Sequence, residues 1–282
     1  MQELIQNTPE WEEMRKTKIG ASDAPVIMGV SPYATPHQLW QKKLGLIMET
    51  THAGMKRGHD LEALARLELE KMTNMLFMPQ VKFHPKHEWM MASLDAIDLE
   101  QNCIAEIKCP NAEDHELARN GKVPEKYFPQ LQHQLEVCQL KRALYFSFDG
   151  SSGVIVEVFR DEKYIKEMIK KEQEFYECMI QLTPPALTNR DYVQKTDDTW
   201  SNDVSKLKSI TQKIEDLELQ REELRESLIS QCMGQSSMGN GVKVSKVIKK
   251  GNIDYSKIPT LSSLDLEPYR KPSSEYWKIT LN

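Results

Sequence analysis

The chain has 282 residues, somewhat more than one compact core usually needs, so we expect one domain of about 200 residues with an appendage, or two smaller domains. Hydrophobic residues make up 39% and charged residues 28%, a composition that supports a sizeable core and argues against disorder. No apolar run approaches the roughly 20 residues that cross a bilayer, and the polar, acidic N-terminus is unlike a signal peptide. These features exclude the membrane and secreted classes, and we expect no membrane partner.

The five cysteines are odd in number, widely scattered and without a C-x-x-C pair. This pattern argues against a disulfide framework, a structural zinc and an iron–sulfur cluster, and it predicts a reduced, intracellular protein. The net charge of −5 is uneven: residues 203–282 have 13 Lys and Arg against 11 Asp and Glu, whereas residues 1–202 have 24 against 31. The acidic part suits metal-binding carboxylates as readily as a plain solvated surface.

Helical signals come first along the chain. Ser22 is predicted to cap a short helix, and Thr35 opens a second one that stops at Gly45. Apolar residues at helical spacing predict a third helix over residues 60–72.

The period then changes to that of strands. Short β-rich runs at 75–83, 89–93, 94–99 and 103–108 predict an antiparallel meander. A helix over 125–140, strands over 143–148 and 154–159, and a helix over 161–182 complete a mixed α/β domain over residues 1–185.

Residues 186–202 are polar and predict a linker, followed by an extension over 203–282. Its helix carries apolar residues from Leu207 to Leu228 at heptad spacing, with Arg221 as a charged interruption. This seam favours packing within the chain over a dimeric zipper, although a zipper is the open alternative. A lysine-rich β element over 242–248 follows, and the last thirty residues, with Tyr276 and Trp277, could pack on it.

The residues that point to chemistry are Asp95 and the sequence Glu106-x-Lys108. Side chains i and i+2 of a strand project to the same side, so Glu106 and Lys108 point together, and a hairpin would bring Asp95 beside Glu106. Two carboxylates beside an ammonium form an oxygen site for a divalent cation such as Mg²⁺. The alternative is a surface salt bridge on an exposed strand pair. The apolar neighbours of these residues favour the metal site, because unpaired charges are costly there.

Further motifs lie in order around these residues and together carry a family resemblance. They are Trp11-x-x-x-Arg15, the stretch Ile19-Gly20-Ala21-Ser22-Asp23, Gly58-x-x-x-Glu62 and Tyr127-x-x-Gln130-x-Gln132. With Asp95 and Glu106-x-Lys108 they resemble the PD-(D/E)xK nuclease superfamily and, within it, the YqaJ-like viral recombinase family of phage lambda exonuclease-like enzymes. The resemblance covers residues 8–182, and Leu94 stands where the superfamily motif has proline.

This resemblance implies a restriction-endonuclease-like core, with a central mixed β-sheet flanked by helices. It also implies a 5′→3′ exonuclease that degrades double-stranded DNA from its ends and leaves 3′ single strands for phage-type recombination. One or two Mg²⁺ ions, with Mn²⁺ as a substitute, would be the cofactor. The implied partners are duplex DNA ends, two further copies in a homotrimeric ring and a single-strand annealing protein, in the cytoplasm of a bacterial host.

The resemblance also assigns roles to residues. Asp95, Glu106 and the backbone carbonyl of Ile107 would hold the metal, with Glu62 assisting. Lys108 would orient or deprotonate the attacking water, and Gln130 would position the lysine or the water. Arg15 and Ser22 would bind the DNA 5′-phosphate, because Arg makes forked contacts to phosphate and a capping Ser22 would lie at a helix N-terminus.

Simpler interpretations and other functions stay open at this point. Glu62, Arg15 and Gln130 have patterns that are typical of solvated helix surfaces. A structure-specific endonuclease would use the same metal ligands, and a non-catalytic DNA-binding or scaffold module could rely on residues 203–282. A Cas4-like or RecB-like nuclease is disfavoured because the cysteines do not fit its iron–sulfur cluster.

Overall fold

A computed structural model describes residues 4–47 and 53–248 together with residues 251 and 258, and for residues 53–60 it describes the backbone alone. The chain divides into two compact units, the first ending at Val193 and the second beginning at Gln194. None of the helices in the described part of the chain combines the length and the apolarity that crossing a membrane requires.

A six-stranded mixed sheet forms the centre of the first unit, with the order β1-β3-β4-β5-β6 and with β2 also paired to β3. The strands are β1 (Ile19–Gly20), β2 (Phe77–Phe83), β3 (Met90–Asp98), β4 (Ile104–Lys108), β5 (Arg142–Phe148) and β6 (Gly153–Phe159). The β1–β3 and β4–β5 pairs are parallel, and the other pairs are antiparallel. The mixed sheet confirms the predicted fold class.

Helices cover both faces of this sheet. They are α1 (Pro9–Thr17), α2 (Ala24–Ile27), α3 (Pro36–Lys43), α4 (Ala53–Thr73), α5 (Ala112–Arg119), α6 (Phe128–Cys138) and α7 (Glu162–Ile180). The side chains of successive residues in β4 point to opposite faces of the sheet, as the two-residue period of a strand requires. Ile104 packs in a cluster with Leu131 of α6, whereas Ala105 packs in another with Ala65 of α4. The side chains of Glu106 and Lys108 therefore belong to the α6 face.

Strand β3 carries a bulge in the region for which the sequence predicts two strands. Met78 pairs with Ile97, but Gln80 pairs with Leu94, so Asp95 and Ala96 together stand opposite Pro79. Proline has no N–H to give to the ladder, and a bulge shifts the inward-facing phase by one residue. The sequence predicts two short strands over 89–93 and 94–99, whereas the structure has the single strand β3, which runs through this bulge.

The prediction that Ser22 caps a helix is also wrong. Ser22 lies inside a 3₁₀ turn, Ala21–Asp23, which begins after Gly20. The Asp23 carboxylate accepts the Gly20 N–H at 2.8 Å and so takes over the local task that a capping residue would perform. Ser22 therefore does not place a bound phosphate at the N-terminus of an α-helix.

The second unit contains a long helix, α8 (Asp198–Gln231), and a hairpin of β7 (Ser237–Gly239) and β8 (Val242–Val244). No residue of α8 is buried by the described part of the chain. Along the predicted seam Leu207 is 38% exposed and Leu224 is 67% exposed. The predicted β packing of Tyr276 and Trp277 lies outside the described residues.

Candidate active site

The site lies where β4 separates from β3. Met91 pairs with both β1 and β2, and Ile97 pairs with both β2 and β4. β2 therefore pairs along one edge of β3. The other edge of β3 pairs with β1 at Met91 and with β4 at Ile97. The last β3–β4 pair is Ala96 with Ala105, so Asp95 and Glu106 are the first residues beyond it. The hairpin thus brings the two carboxylates together, next to a bulge of the kind that re-aims a side chain.

Three side-chain donors hold the buried carboxylate of Glu106. It is 1% exposed, and it accepts hydrogen bonds from Gln130 Nε2 at 2.6 Å, from Gln134 Nε2 and from Lys108 Nζ. A carboxylate offers about four lone-pair positions. These three donors therefore fix the orientation of Glu106 and leave room for one more partner.

Asp95 faces the same space under different constraints. Its Oδ2 accepts the Ile107 N–H at 3.0 Å. Desolvation, followed by the negative charges of Glu106 and Glu62, raises the pKa of Asp95 well above its ordinary value, and Lys108 only partly opposes this shift. The carboxylate form of Asp95 therefore lacks sufficient positive charge around it.

Lys108 places a positive charge beside these acids. Desolvation by itself would lower the pKa of Lys108, but the charges of Glu106 and Asp95 raise it above the ordinary value. The amine is therefore an ammonium at neutral pH. The Lys108 ammonium offsets only part of the negative charge that acts on Asp95, since the pKa of Asp95 stays raised.

The negative charge that remains suits a divalent cation. Across the described residues, no three His, Cys, Asp or Glu side chains converge closely enough to hold a metal together. Mg²⁺, however, is usually held by one or two carboxylates and retains several waters. The Asp95 and Glu106 oxygens fit that donor set. Glu62, half-buried on α4, acts on Asp95 through its charge; its predicted ligation stays a prediction, as does that of the Ile107 carbonyl.

The glutamines of α6 divide into two groups by helix face. Gln130 and Gln134, four residues apart, both donate to Glu106. Gln132 instead donates to Phe159 O at 2.9 Å and accepts the Asp161 N–H at 2.9 Å, which ties α6 to the end of β6. The sequence interpretation named Gln130 and missed Gln134, although their i, i+4 spacing is the signal of a shared face.

A second polar cluster surrounds Arg15 and Ser22. Arg15 Nη2 donates to Ser22 Oγ at 3.0 Å, and its guanidinium lies 4.6 Å from the centroid of the Trp11 ring. Trp11 Nε1 in turn donates to Ser93 Oγ at 2.8 Å, two residues before Asp95. The structure therefore brings the two predicted phosphate ligands together and ties them to β3.

Lys43, which the sequence interpretation missed, holds the main chain next to this cluster in place. The buried Lys43 Nζ lies 2.5 Å from Asp23 Oδ2 and donates to the carbonyls of Arg15 at 2.7 Å and Lys18 at 2.8 Å. Burial opposes ionisation of Asp23, but the Lys43 and Arg15 charges hold the pKa of Asp23 below its usual value. The ion pair thereby holds the main chain of α1 against α3.

Residues 10–141 match the model of the YqaJ-like viral recombinase domain. The match shows that this part of the chain, slightly less than half of its length, is similar to that domain. The chain is also 29% identical over 174 residues to the uncharacterized protein YqaJ of Bacillus subtilis (strain 168), a match that covers 59% of this chain and 54% of the relative. The chain therefore spans about half the length of that relative.

Solved structures place the YqaJ-like domain in its fold. The alkaline exonuclease LHK-Exo of Laribacter hongkongensis superposes with a TM-score of 0.54 at 24% identity, covering 62% of this chain and 94% of that one. LHK-Exo in complex with dAMP gives the same values. These structural matches confirm the predicted restriction-endonuclease-like fold.

The excess negative charge predicts how Asp95→Asn affects stability without metal. In chelator at pH 7 the variant should unfold at a higher urea concentration than the parent, because the amide still accepts the Ile107 N–H but carries no charge. Folding raises the pKa of the Asp95 carboxyl from its unfolded value of about 3.9. The protonated carboxyl therefore stabilises the native state below about pH 3.9, and this stabilisation is lost as the pH rises through the pKa of the folded protein. The advantage of the variant should therefore shrink as pH falls toward about 4.

Glu113→Gln, on an exposed position of α5, is the matched control and should change the urea midpoint little at any pH. A less stable Asp95→Asn protein at pH 7, or a difference that does not vary with pH, contradicts the charge assignment.

Proposed function

We propose that the chain is a Mg²⁺-dependent nuclease that degrades double-stranded DNA from its ends in the 5′→3′ direction and leaves 3′ single strands for homologous recombination. The observation that carries the proposal is the convergence of Asp95, Glu106 and Lys108 where β4 separates from β3. The match of residues 10–141 to the YqaJ-like viral recombinase domain and the fold shared with an alkaline exonuclease support it.

The proposed metal ligands are Asp95, Glu106 and the backbone carbonyl of Ile107, with Glu62 assisting. When bound, Mg²⁺, or Mn²⁺ in its place, would polarise the scissile phosphate and offset the charge that develops in the transition state. Gln130 and Gln134 contribute by holding Glu106 in one orientation, so that its carboxylate needs little rearrangement when the substrate arrives.

Lys108 acts as a donor in this proposal. Because its pKa is raised, it carries its proton at neutral pH and can orient an attacking water or stabilise negative charge on the phosphate. The charged form favours these two roles over that of a general base.

The Arg15 and Ser22 cluster supplies the proposed preference for a 5′ end. Arg15 donates a hydrogen bond from Nη2 to Ser22. Because a guanidinium has five N–H donors in all, Arg15 retains donors for a terminal phosphate. The link from Trp11 to Ser93 would keep such a phosphate at a fixed place relative to Asp95 and so set the direction of digestion.

Net charge bears on how the protein would retain DNA. At −5 the chain lacks the global basic surface that usually holds a polyanion. A homotrimeric ring that encloses the duplex would replace that attraction with topology. We extend the proposal to this ring, to a single-strand annealing partner and to action in the bacterial cytoplasm.

Lys108→Met should lower cleavage by about a hundred- to a thousandfold, the usual cost of one electrostatic contact to a transition state. The measurement is digestion of an end-labelled linear duplex with Mg²⁺ and with chelator. Lys122→Met, at an exposed position after α5, is the control and should cut like the parent. Cleavage at the parental rate by Lys108→Met would refute the site assignment.

A covalently closed circular duplex should stay intact, and its digestion would instead indicate an endonuclease.

Arg15→Ala should reduce the preference for 5′-phosphorylated over 5′-hydroxyl ends by about tenfold or more, because charge-assisted hydrogen bonds are worth about 1.5–3 kcal/mol. Initial rates on the two duplexes measure this ratio. Lys16→Ala, on the exposed side of the same helix, should leave the ratio unchanged. If the parent protein digests both ends equally, the phosphate assignment fails.

A further inference from the structure

An exposed aromatic side chain stands on a firmly held loop between α2 and α3. Tyr33 is 72% exposed. Arg190 donates to the carbonyls of Ser31 and Pro32 at 2.8 Å each, and Thr35 Oγ1 donates to the Asp191 carboxylate. Ordering a loop costs conformational entropy, yet little of the Tyr33 ring is buried in return. The loop therefore presents this ring to solvent.

Lys126 lies against Tyr33 on the protein side. Its Nζ is 3.3 Å from the Tyr33 hydroxyl and 5.6 Å from the ring centroid. The same nitrogen lies 2.6 Å from Asp114 Oδ2 and 5.2 Å from the Tyr127 ring centroid. Asp114 and two aromatic rings thus hold one cation at a defined place.

Tyr127 continues this row to the candidate active site. Its ring stacks on the buried Tyr145, with centroids 5.7 Å apart, and Lys108 Nζ lies 5.5 Å from the Tyr127 ring centroid. Tyr33, Lys126, Tyr127 and Lys108 therefore form a contiguous strip from solvent to the Lys108 ammonium. We call these four residues the aromatic–lysine strip.

We propose that the aromatic–lysine strip binds an unpaired segment of the DNA strand beside the cleavage site, with a base stacked on Tyr33 and a backbone phosphate near Lys126. Alternating aromatic rings and cations are the features that bind single strands without regard to sequence, because every base has a π-face. Asp114 already uses part of the Lys126 charge, so stacking on Tyr33 supplies the larger share of binding. The proposal rests on the proposed nuclease function, since it assigns the strip to the same substrate.

Binding in chelator separates this proposal from cleavage. The probe is a labelled single-stranded oligonucleotide of about 12 nucleotides, with 2-aminopurine as its reporter base, titrated with full-length protein. Tyr33→Ala should weaken binding by about tenfold and remove the 2-aminopurine quenching that a stacked base produces. Tyr33→Phe keeps the ring and loses the hydroxyl, so it should bind and quench like the parent.

Phe159→Ala is the matched control, because Phe159 is 64% exposed and pairs with Arg142 at the end of the sheet away from Lys108. It should bind like the parent. Binding by Tyr33→Ala at the parental affinity, equal losses in Phe159→Ala, or no single-strand binding by the parent would each overturn the proposal. Tyr33-dependent binding without Mg²⁺-dependent cleavage would support the strip while contradicting the nuclease function.

Discussion

The arrangement of this domain depends on an electrostatic imbalance at one point of the sheet. Asp95 and Glu106 meet as β4 leaves β3, in surroundings that desolvate both, and the Lys108 ammonium can neutralise only part of their charge. Folding alone would not favour such a cluster, because buried like charges cost free energy. The surrounding packing must hold it, and a bound divalent cation is the simplest way to balance it.

The support for this cluster comes from elements that are distant in sequence. Gln130 and Gln134 approach Glu106 from α6, Ile107 fixes Asp95 through its N–H, and the bulge opposite Pro79 marks the point where β3 changes phase. Each of these groups acts on the orientation of a carboxylate. Such rigid support is what preorganised electrostatic catalysis requires.

Much of this could be predicted from the sequence, because a strand has a strict two-residue period. That period places Glu106 and Lys108 on one face, and the short polar break after β3 indicates the hairpin that brings Asp95 beside them. The bulge was not predictable, because it depends on which residues of β2 pair with β3. The role of Lys43 was not predictable for a similar reason. Only tertiary packing brings its partners, Asp23 and the main chain of α1, next to its ammonium.

The most direct test of the central claim is a crystal structure of the protein soaked with Mn²⁺, with the anomalous scattering of the metal used to locate it. The account predicts a strong anomalous peak within coordination distance of both the Asp95 and the Glu106 carboxylates. A metal bound elsewhere, or no anomalous peak between these two carboxylates at saturating Mn²⁺, would contradict it.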